Sequence, residues 1–259
     1  MKPANSWSTG PTQPRIHRSE VHIWRASLDA PRPALQYFWQ QLSTDEVDRA
    51  QRFHFDQDRN RFIMARGILR CLLARYLRVP PSVLRFNYGP AGKPELALHH
   101  NPITFNVSHS NRLATYAVGL SRPVGIDIEY IRETPDTLDA IYHCLADEER
   151  EQLSHVPASR RAARLFAYWA SKEAFLKATG RGLQIPPSSV VIQPSRKQSP
   201  ALCLTCRGSD ALTAEQWMLS TLDVHPEFAG SVCARGAVES YSYWEWSLAG
   251  GSGVAHASR

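Results

Sequence analysis

No stretch of this chain approaches the roughly 20 apolar residues needed to span a bilayer. Its first twenty residues, MKPANSWSTGPTQPRIHRSE, lack the apolar centre of a secretory signal. Both absences lead to the expectation of a cytoplasmic protein. Cysteine is sparse, with five residues (Cys71, Cys144, Cys203, Cys206, Cys233) spread over 259 positions. An odd, scattered set implies no disulfide framework. Cys203 and Cys206 make one C-x-x-C, but a metal knuckle needs a second pair, so the alternatives are redox use or incidental packing. Neither G-x-x-x-x-G-K-[ST] nor G-x-G-x-x-G occurs, which disfavours the usual NTPase and dinucleotide folds.

What is present is an ordinary globular composition, 43% hydrophobic and 21% charged, on a chain long enough for one large domain or two of common size. The formal net charge is +6, carried mainly by arginine, and suits a polyanionic partner: nucleic acid, a phosphorylated small molecule or an acidic protein. Residues 1–19 read as a flexible arm and residues 249–259 as a frayed tail. Between them, Val21–Ala26 reads as a strand. Ser43 and Glu46 are spaced as a capping box, and an amphipathic helix is predicted from Arg59 to Arg78. Strands follow near Leu84–Tyr88, Ile103–Val107 and Leu113–Leu120, and Ser121–Pro123 is the best linker.

The pattern then restarts. A strand at Val124–Tyr130 precedes helices at about 137–153 and 160–179, then strands at 190–193, 201–206, 216–224, 231–234 and 240–247. The fold expected is α+β, a pseudo-dimer of two similar subdomains (20–121 and 122–248) with a cleft between them. The aromatic run Tyr241-Ser-Tyr-Trp-Glu-Trp246 reads as a core strand with its aromatics on one face.

Within VGIDIEY, Asp127 and Glu129 stand two apart on a strand. They therefore share a face, with Cα atoms roughly 6.5–7 Å apart. Like charges so placed are costly to bury unless something positive compensates. A third carboxylate, Glu173, lies on the apolar stripe of a helix with Leu165, Phe166, Trp169 and Leu176. Taken alone, Glu173 reads first as an ion-pair partner of Lys172, Lys177 or an arginine, or as a carboxylate at the edge of the stripe. Taken together, Asp127, Glu129 and Glu173 suit a hard cation such as Mg²⁺, which prefers oxygen ligands and leaves positions open for water and phosphates.

Cations and donors for phosphate are also available. Lys93 sits on the Gly/Pro-framed turn AGKPEL, which also reads as a plain surface turn. Ser108 and His109 follow a strand and make better phosphate donors than a nucleophile–base pair. Arg49, Arg52, Arg59, Arg61, Arg66 and Arg70 crowd the first long helix, where one or two could clamp a phosphate and the rest be solvated. Lys177, in the last turn before Gly180, either complements the helix dipole or neutralises a leaving phosphate.

In order, GKPEL, FNVSHS, VGIDIEY and WASKEAFLKATGRGL resemble the motif series of the surfactin-type 4′-phosphopantetheinyl transferases. The paired G-I-D-I-E and W-x-x-K-E-x-x-x-K, about 40 residues apart, carry most of the specificity. The resemblance implies two α+β halves binding coenzyme A between them. It also implies Mg²⁺-dependent transfer of the phosphopantetheine arm to a serine of an apo acyl or peptidyl carrier protein, with release of adenosine 3′,5′-bisphosphate. By the same resemblance Asp127, Glu129 and Glu173 hold Mg²⁺, which also contacts the coenzyme A pyrophosphate. Lys93, Ser108 and His109 hold the phosphates and adenosine end, Arg49, Arg52 and Arg61 lie near the 3′-phosphate, and Lys172 and Lys177 face the pyrophosphate. Glu173, directly or through water, accepts the serine proton, and Lys177 assists the leaving group. A monomer is expected, since a duplicated chain forms its own cleft. Another Mg²⁺-dependent phosphoryl or nucleotidyl transferase is the main alternative; a nucleic-acid binder leaves the carboxylates unused, and no nucleic-acid or membrane partner is expected. The sequence does not distinguish fatty-acid, polyketide and nonribosomal peptide carriers.

Overall fold

The computed structural model describes residues 6–97, 101–194, 201–206 and 217–247, with the backbone alone described at Pro194 and over 201–206. In chain order the first half contains β1 (Ser8–Thr9), β2 (Glu20–Ser27), α1 (Arg32–Trp39), α2 (Thr44–Gln51), α3 (Asp56–Leu77), β3 (Phe86–Tyr88), β4 (Pro94–Leu96), β5 (Ile103–Ser110) and β6 (Leu113–Leu120). The second contains β7 (Val124–Tyr130), α4 (Pro135–His143), α5 (Asp147–Ser154), α6 (Ala158–Thr179), β8 (Val190–Pro194), β9 (Ala201–Cys206), β10 (Trp217–Thr221), β11 (Phe228–Arg235) and β12 (Ser240–Glu245). Two five-stranded sheets result, ordered β1-β12-β2-β6-β5 and β7-β11-β10-β9-β8, with β3 and β4 forming a separate hairpin.

Each sheet carries one 22-residue helix, α3 on the first and α6 on the second. The α3 core gathers Phe38, Leu69, Leu72, Leu73 and Tyr116; the α6 core gathers Leu165, Phe166, Phe175, Leu176 and Leu219. A third apolar cluster, including Ile23, Ile126, Ile128 and Val232, joins strands of both sheets. The duplicated α+β plan anticipated from the pattern is thus observed. The capping box is also present: Glu46 Oε2 accepts the Ser43 N–H at 3.0 Å. Glu46 is almost fully buried and receives Arg66 Nε at 2.6 Å and Arg70 Nε at 2.5 Å. Two of the crowded arginines are therefore counter-ions of a core carboxylate.

Several elements differ from expectation. The first nineteen residues are not a free arm from Trp7 onward. The Trp7 indole donates to the Asp223 carbonyl at 2.8 Å and its ring packs on Tyr243, while Ser8–Thr9 adds a strand beside β12. Strand β12 leaves the second half to pair in parallel with β2, so the 122–248 segment donates its last strand to the first sheet. That crossing places Tyr241 and Tyr243 against the central cluster and Trp244 and Trp246 against the α3 core. The run is core, but its aromatics occupy both faces. The helix expected over 137–153 is two helices, because Leu145 turns fully inward and Glu149 Oε2 accepts the Ala146 N–H at 2.8 Å to start α5. Residues 32–39, unassigned by periodicity, form α1. Cys71, Cys144 and Cys233 are free thiols; the Cys203 and Cys206 side chains and the 249–259 tail lie outside the described residues. Among the described residues no helix is long and apolar enough to cross a membrane.

Candidate active site at the seam between the halves

The two sheets meet where β5 faces the edge of β7. Three alternate residues of β5, Asn106, Ser108 and Ser110, are polar, and each accepts a backbone N–H of β7. Asn106 Oδ1 takes Ile126 N at 2.8 Å, Ser108 Oγ takes Ile128 N at 3.3 Å and Ser110 Oγ takes Tyr130 N at 3.0 Å. A side-chain ladder thus replaces the backbone ladder that would otherwise pair these strands and gives the Ile126, Ile128 and Tyr130 N–H groups their partners. The same two serine hydroxyls donate onward, Ser108 to Asp127 Oδ1 at 2.8 Å and Ser110 to Glu129 Oε2 at 3.0 Å.

Helix α6 closes the site from above β7. Its approach depends on Gly125: a Cβ there would sit 2.1 Å from the Ala174 carbonyl oxygen and 2.3 Å from Ala178 N. Lys177 reaches Asp127 Oδ1 at 2.6 Å and Ser108 Oγ at 3.1 Å, and Trp169 Nε1 donates to Glu129 Oε1 at 3.2 Å. The helix ends at Gly180, in the left-handed region at φ 72°.

The positive group beside Asp127 in this structure is therefore the Lys177 ammonium. Asp127 is nevertheless held up to about 7: burial is the largest cause, Lys177 opposes it, and Glu129 adds repulsion. Its Oδ2 is buried with no hydrogen-bond partner. Burial likewise raises Glu173, with Lys177 opposing and Glu129 reinforcing, which places Glu173 in the same electrostatic neighbourhood. Three carboxylates with one orphaned oxygen and one lysine make a site short of positive charge. Their donor chemistry, oxygen only, fits a hard divalent cation. Among the described residues, however, no three His, Cys, Asp or Glu side chains close around a common point.

His109 projects from β5 on the face opposite Ser108 and Ser110. It is open to solvent but flanked by protein, Lys177 and Arg49, which hold its imidazole below its ordinary value, burial first. Arg49 is exposed on α2 and covers the Phe62 ring at 5.2 Å; Arg52 is exposed just beyond it. A cavity of about 660 Å³ runs past Phe53, Arg61, Phe62, His109, Ser110 and Glu129. A second, of about 460 Å³, opens beside Trp169 toward Ile141, Cys144 and Phe166, and Glu129, Tyr130 and Arg132 line both.

The structure thus gathers Asp127, Glu129, Glu173, Lys177, Ser108, His109, Arg49 and Arg61 about one seam. Three expected residues are placed otherwise, the first being Arg52, which is exposed beyond α2 and lines neither cavity. Lys172 is fully buried on the far side of α6, its ammonium 2.8 Å from Glu149 Oε2, 2.8 Å from the Pro187 carbonyl and bonded also to the Val190 carbonyl. It does not face the seam. Lys93 is partly committed: its Nζ donates to the Val124 and Lys177 carbonyls at 3.0 and 2.8 Å, tying the β3–β4 hairpin to the end of α6. Burial lowers it to about 8, with Glu95 opposing. The sequence reading passed over Asn106, Ser110 and the indole of Trp169; the polar alternation 106-108-110 was the available signal.

Two family models match the chain, one on each half. Residues 123–233 match the 4′-phosphopantetheinyl transferase superfamily and residues 24–121 match the N-terminal region of 4′-phosphopantetheinyl transferases. The 4′-phosphopantetheinyl transferase HetI of Nostoc is 34% identical over 248 residues, covering 93% of this chain and 99% of its own length. The chain belongs to the 4′-phosphopantetheinyl transferase superfamily. Another relative, 4′-phosphopantetheinyl transferase Sfp of Bacillus subtilis, is 26% identical over 74% of this chain and 82% of its own. Among solved structures, the Chronobacterium ammoniagenes ACPS–CoA complex aligns with 44% of this chain and 95% of its own at 20% identity and a TM-score of 0.35. The boundary between the two family matches, 121/123, falls on the turn that leads into β7 and the carboxylates.

Proposed function

We propose that this member of the 4′-phosphopantetheinyl transferase superfamily moves the phosphopantetheine arm of coenzyme A onto a serine hydroxyl of an apo acyl or peptidyl carrier protein at the seam. The observation that carries the reading is the buried, partnerless Oδ2 of Asp127 beside Glu129, Glu173 and Lys177. Such a group of like charges is costly to keep unless cation and phosphate charges complete it. Asp127, Glu129 and Glu173 would hold Mg²⁺. Bound there, the ion would supply charge neutralisation for the diphosphate.

The remaining steps belong to the chain's own residues. The serine oxygen attacks the phosphorus that carries the pantetheine oxygen, a new P–O bond forms, and the bond to the bridging diphosphate oxygen breaks. Adenosine 3′,5′-bisphosphate leaves with that oxygen. Lys177, already within reach of the carboxylates, neutralises the departing phosphate. Glu173 takes the serine proton, directly or through water. Arg61 and His109 border the cavity that suits the nucleotide end, and Arg49 and Arg52 stand exposed on and just beyond α2 to meet its 3′-phosphate; Ser108 acts by holding Asp127, and Lys93 by holding the hairpin against α6. A net charge of +6 favours an acidic carrier, and the chain acts as a cytoplasmic monomer.

The test is quantitation of adenosine 3′,5′-bisphosphate released from coenzyme A with and without apo carrier protein. Release equal to carrier added, and none without it, supports the transfer. Nucleotide turnover without carrier points instead to a different phosphoryl transferase.

A further inference from the structure

We infer that Ser110 is a positioning residue for Glu129, orienting that carboxylate for the divalent ion; the inference rests on the proposed metal-binding reading of the seam. Ser110 is buried, and two of its three hydroxyl capacities are in use. A serine hydroxyl offers one donor and two acceptor positions. The Tyr130 N–H at 3.0 Å takes an acceptor position, which turns the hydroxyl proton toward Glu129 Oε2 at 3.0 Å. Trp169 Nε1 holds the other oxygen, Oε1, at 3.2 Å. Each oxygen of Glu129 therefore carries one donor and retains a lone pair for a metal.

The arrangement also couples the two halves of the molecule to the ion. Ser110 belongs to the first sheet and Glu129 to the second, so the carboxylate is aimed by a residue across the seam. Ser108 repeats the device two residues earlier on Asp127, while Asn106 completes the ladder at Ile126 without touching a carboxylate. Asn106 is thus a built-in control: its loss disturbs the seam but not the aim of Glu129. Groups that orient metal ligands commonly change metal affinity about 10–100-fold when removed.

The experiment measures Mn²⁺ affinity by electron paramagnetic resonance for the full-length wild type and for Ser110→Ala, Ser110→Thr and Asn106→Ala, with coenzyme A affinity in EDTA measured on the same samples. Ser110→Ala weakens Mn²⁺ binding about tenfold or more, whereas Ser110→Thr, which keeps the hydroxyl, stays within about threefold of wild type. Coenzyme A affinity in EDTA and the Mn²⁺ affinity of Asn106→Ala also stay within about threefold, on the same scale of effect. Unchanged Mn²⁺ affinity in Ser110→Ala, or an equal loss in Asn106→Ala, overturns the positioning role and leaves the metal site standing. Absence of saturable Mn²⁺ binding in the wild type overturns the metal reading itself, and the inference with it.

Discussion

Lys172 and Glu173 are adjacent in one motif yet serve different ends, because neighbouring positions on a helix point about 100° apart. Periodicity placed Glu173 on the stripe facing the second sheet and its carboxylates. It gave no way to see that Lys172 turns to a carboxylate of another helix, since Glu149 lies 23 residues away in sequence. Removing one partner of a buried pair strands the other, at about 3–5 kcal/mol. Lys172→Met therefore lowers the melting temperature sharply while the folded fraction keeps kcat/KM within a few-fold. A large loss of kcat/KM with an unchanged melting temperature contradicts this placement. The alternation of Ser110 with Asn106 and Ser108 marks a polar face, but its role depends on a strand 20 residues later coming alongside.

A second residue-scale prediction concerns His22, which bonds Tyr76 Oη at 2.8 Å and stands 3.4 Å from Glu20. Burial lowers it to about 4, against the upward pull of Glu20. In the unfolded chain it titrates near 6.5, so below that pH the unfolded state binds a proton that the folded state refuses. Stability is thus retained above about pH 6.5 and lost as pH falls toward 4, by about 3 kcal/mol at roughly 1.4 kcal/mol per pH unit. Denaturant titrations of wild type and His22→Gln check the sign: the gap between them narrows from pH 7.5 to pH 4.5. A gap that widens on acidification contradicts it.

At the scale of elements, strongly patterned segments were legible and pairing was not. The stripe Phe62, Leu69 and Tyr76 identified α3, and the restart after Pro123 identified the second half. The break between α4 and α5 depends on Glu149 capping one helix and receiving a lysine from another, a tertiary event. The path of β12 into the first sheet has no local signature, since a strand carries apolar residues on both faces wherever both are covered. Short segments such as β1 and α1 are formed by what they pack against. The glycine of G-I-D-I-E acts at this scale too. Gly125→Ala forces α6 off β7 by several tenths of an ångström or more, with an overpacking cost of about 1–3 kcal/mol. It also carries Lys177 and Glu173 away from Asp127. Steady-state assays are expected to show about a hundredfold loss of kcat, consistent with the sensitivity of reacting groups to displacement near 1 Å. Retention of wild-type kcat contradicts the account of why α6 lies so close.

At the scale of the whole molecule, the halves are joined by the shared apolar cluster, by β12 crossing into the first sheet, by the side-chain ladder from β5 to β7 and by polar ties such as Lys93 to the end of α6. Asp127 and Glu129 receive hydrogen bonds from the β5 serines of that ladder, so this part of the site exists only where the two halves meet. Motif order made the site's ingredients visible in sequence; their division into seam, core and cavity required the fold. The decisive measurement is the intact mass of an apo carrier protein incubated with this protein and coenzyme A, in Mg²⁺, in EDTA, and in Mg²⁺ with Asp127→Ala. A phosphopantetheine-sized gain in the first sample alone is the predicted result. A gain that persists in EDTA or with Asp127→Ala contradicts the metal-assisted seam, and no gain with any class of carrier contradicts the transfer.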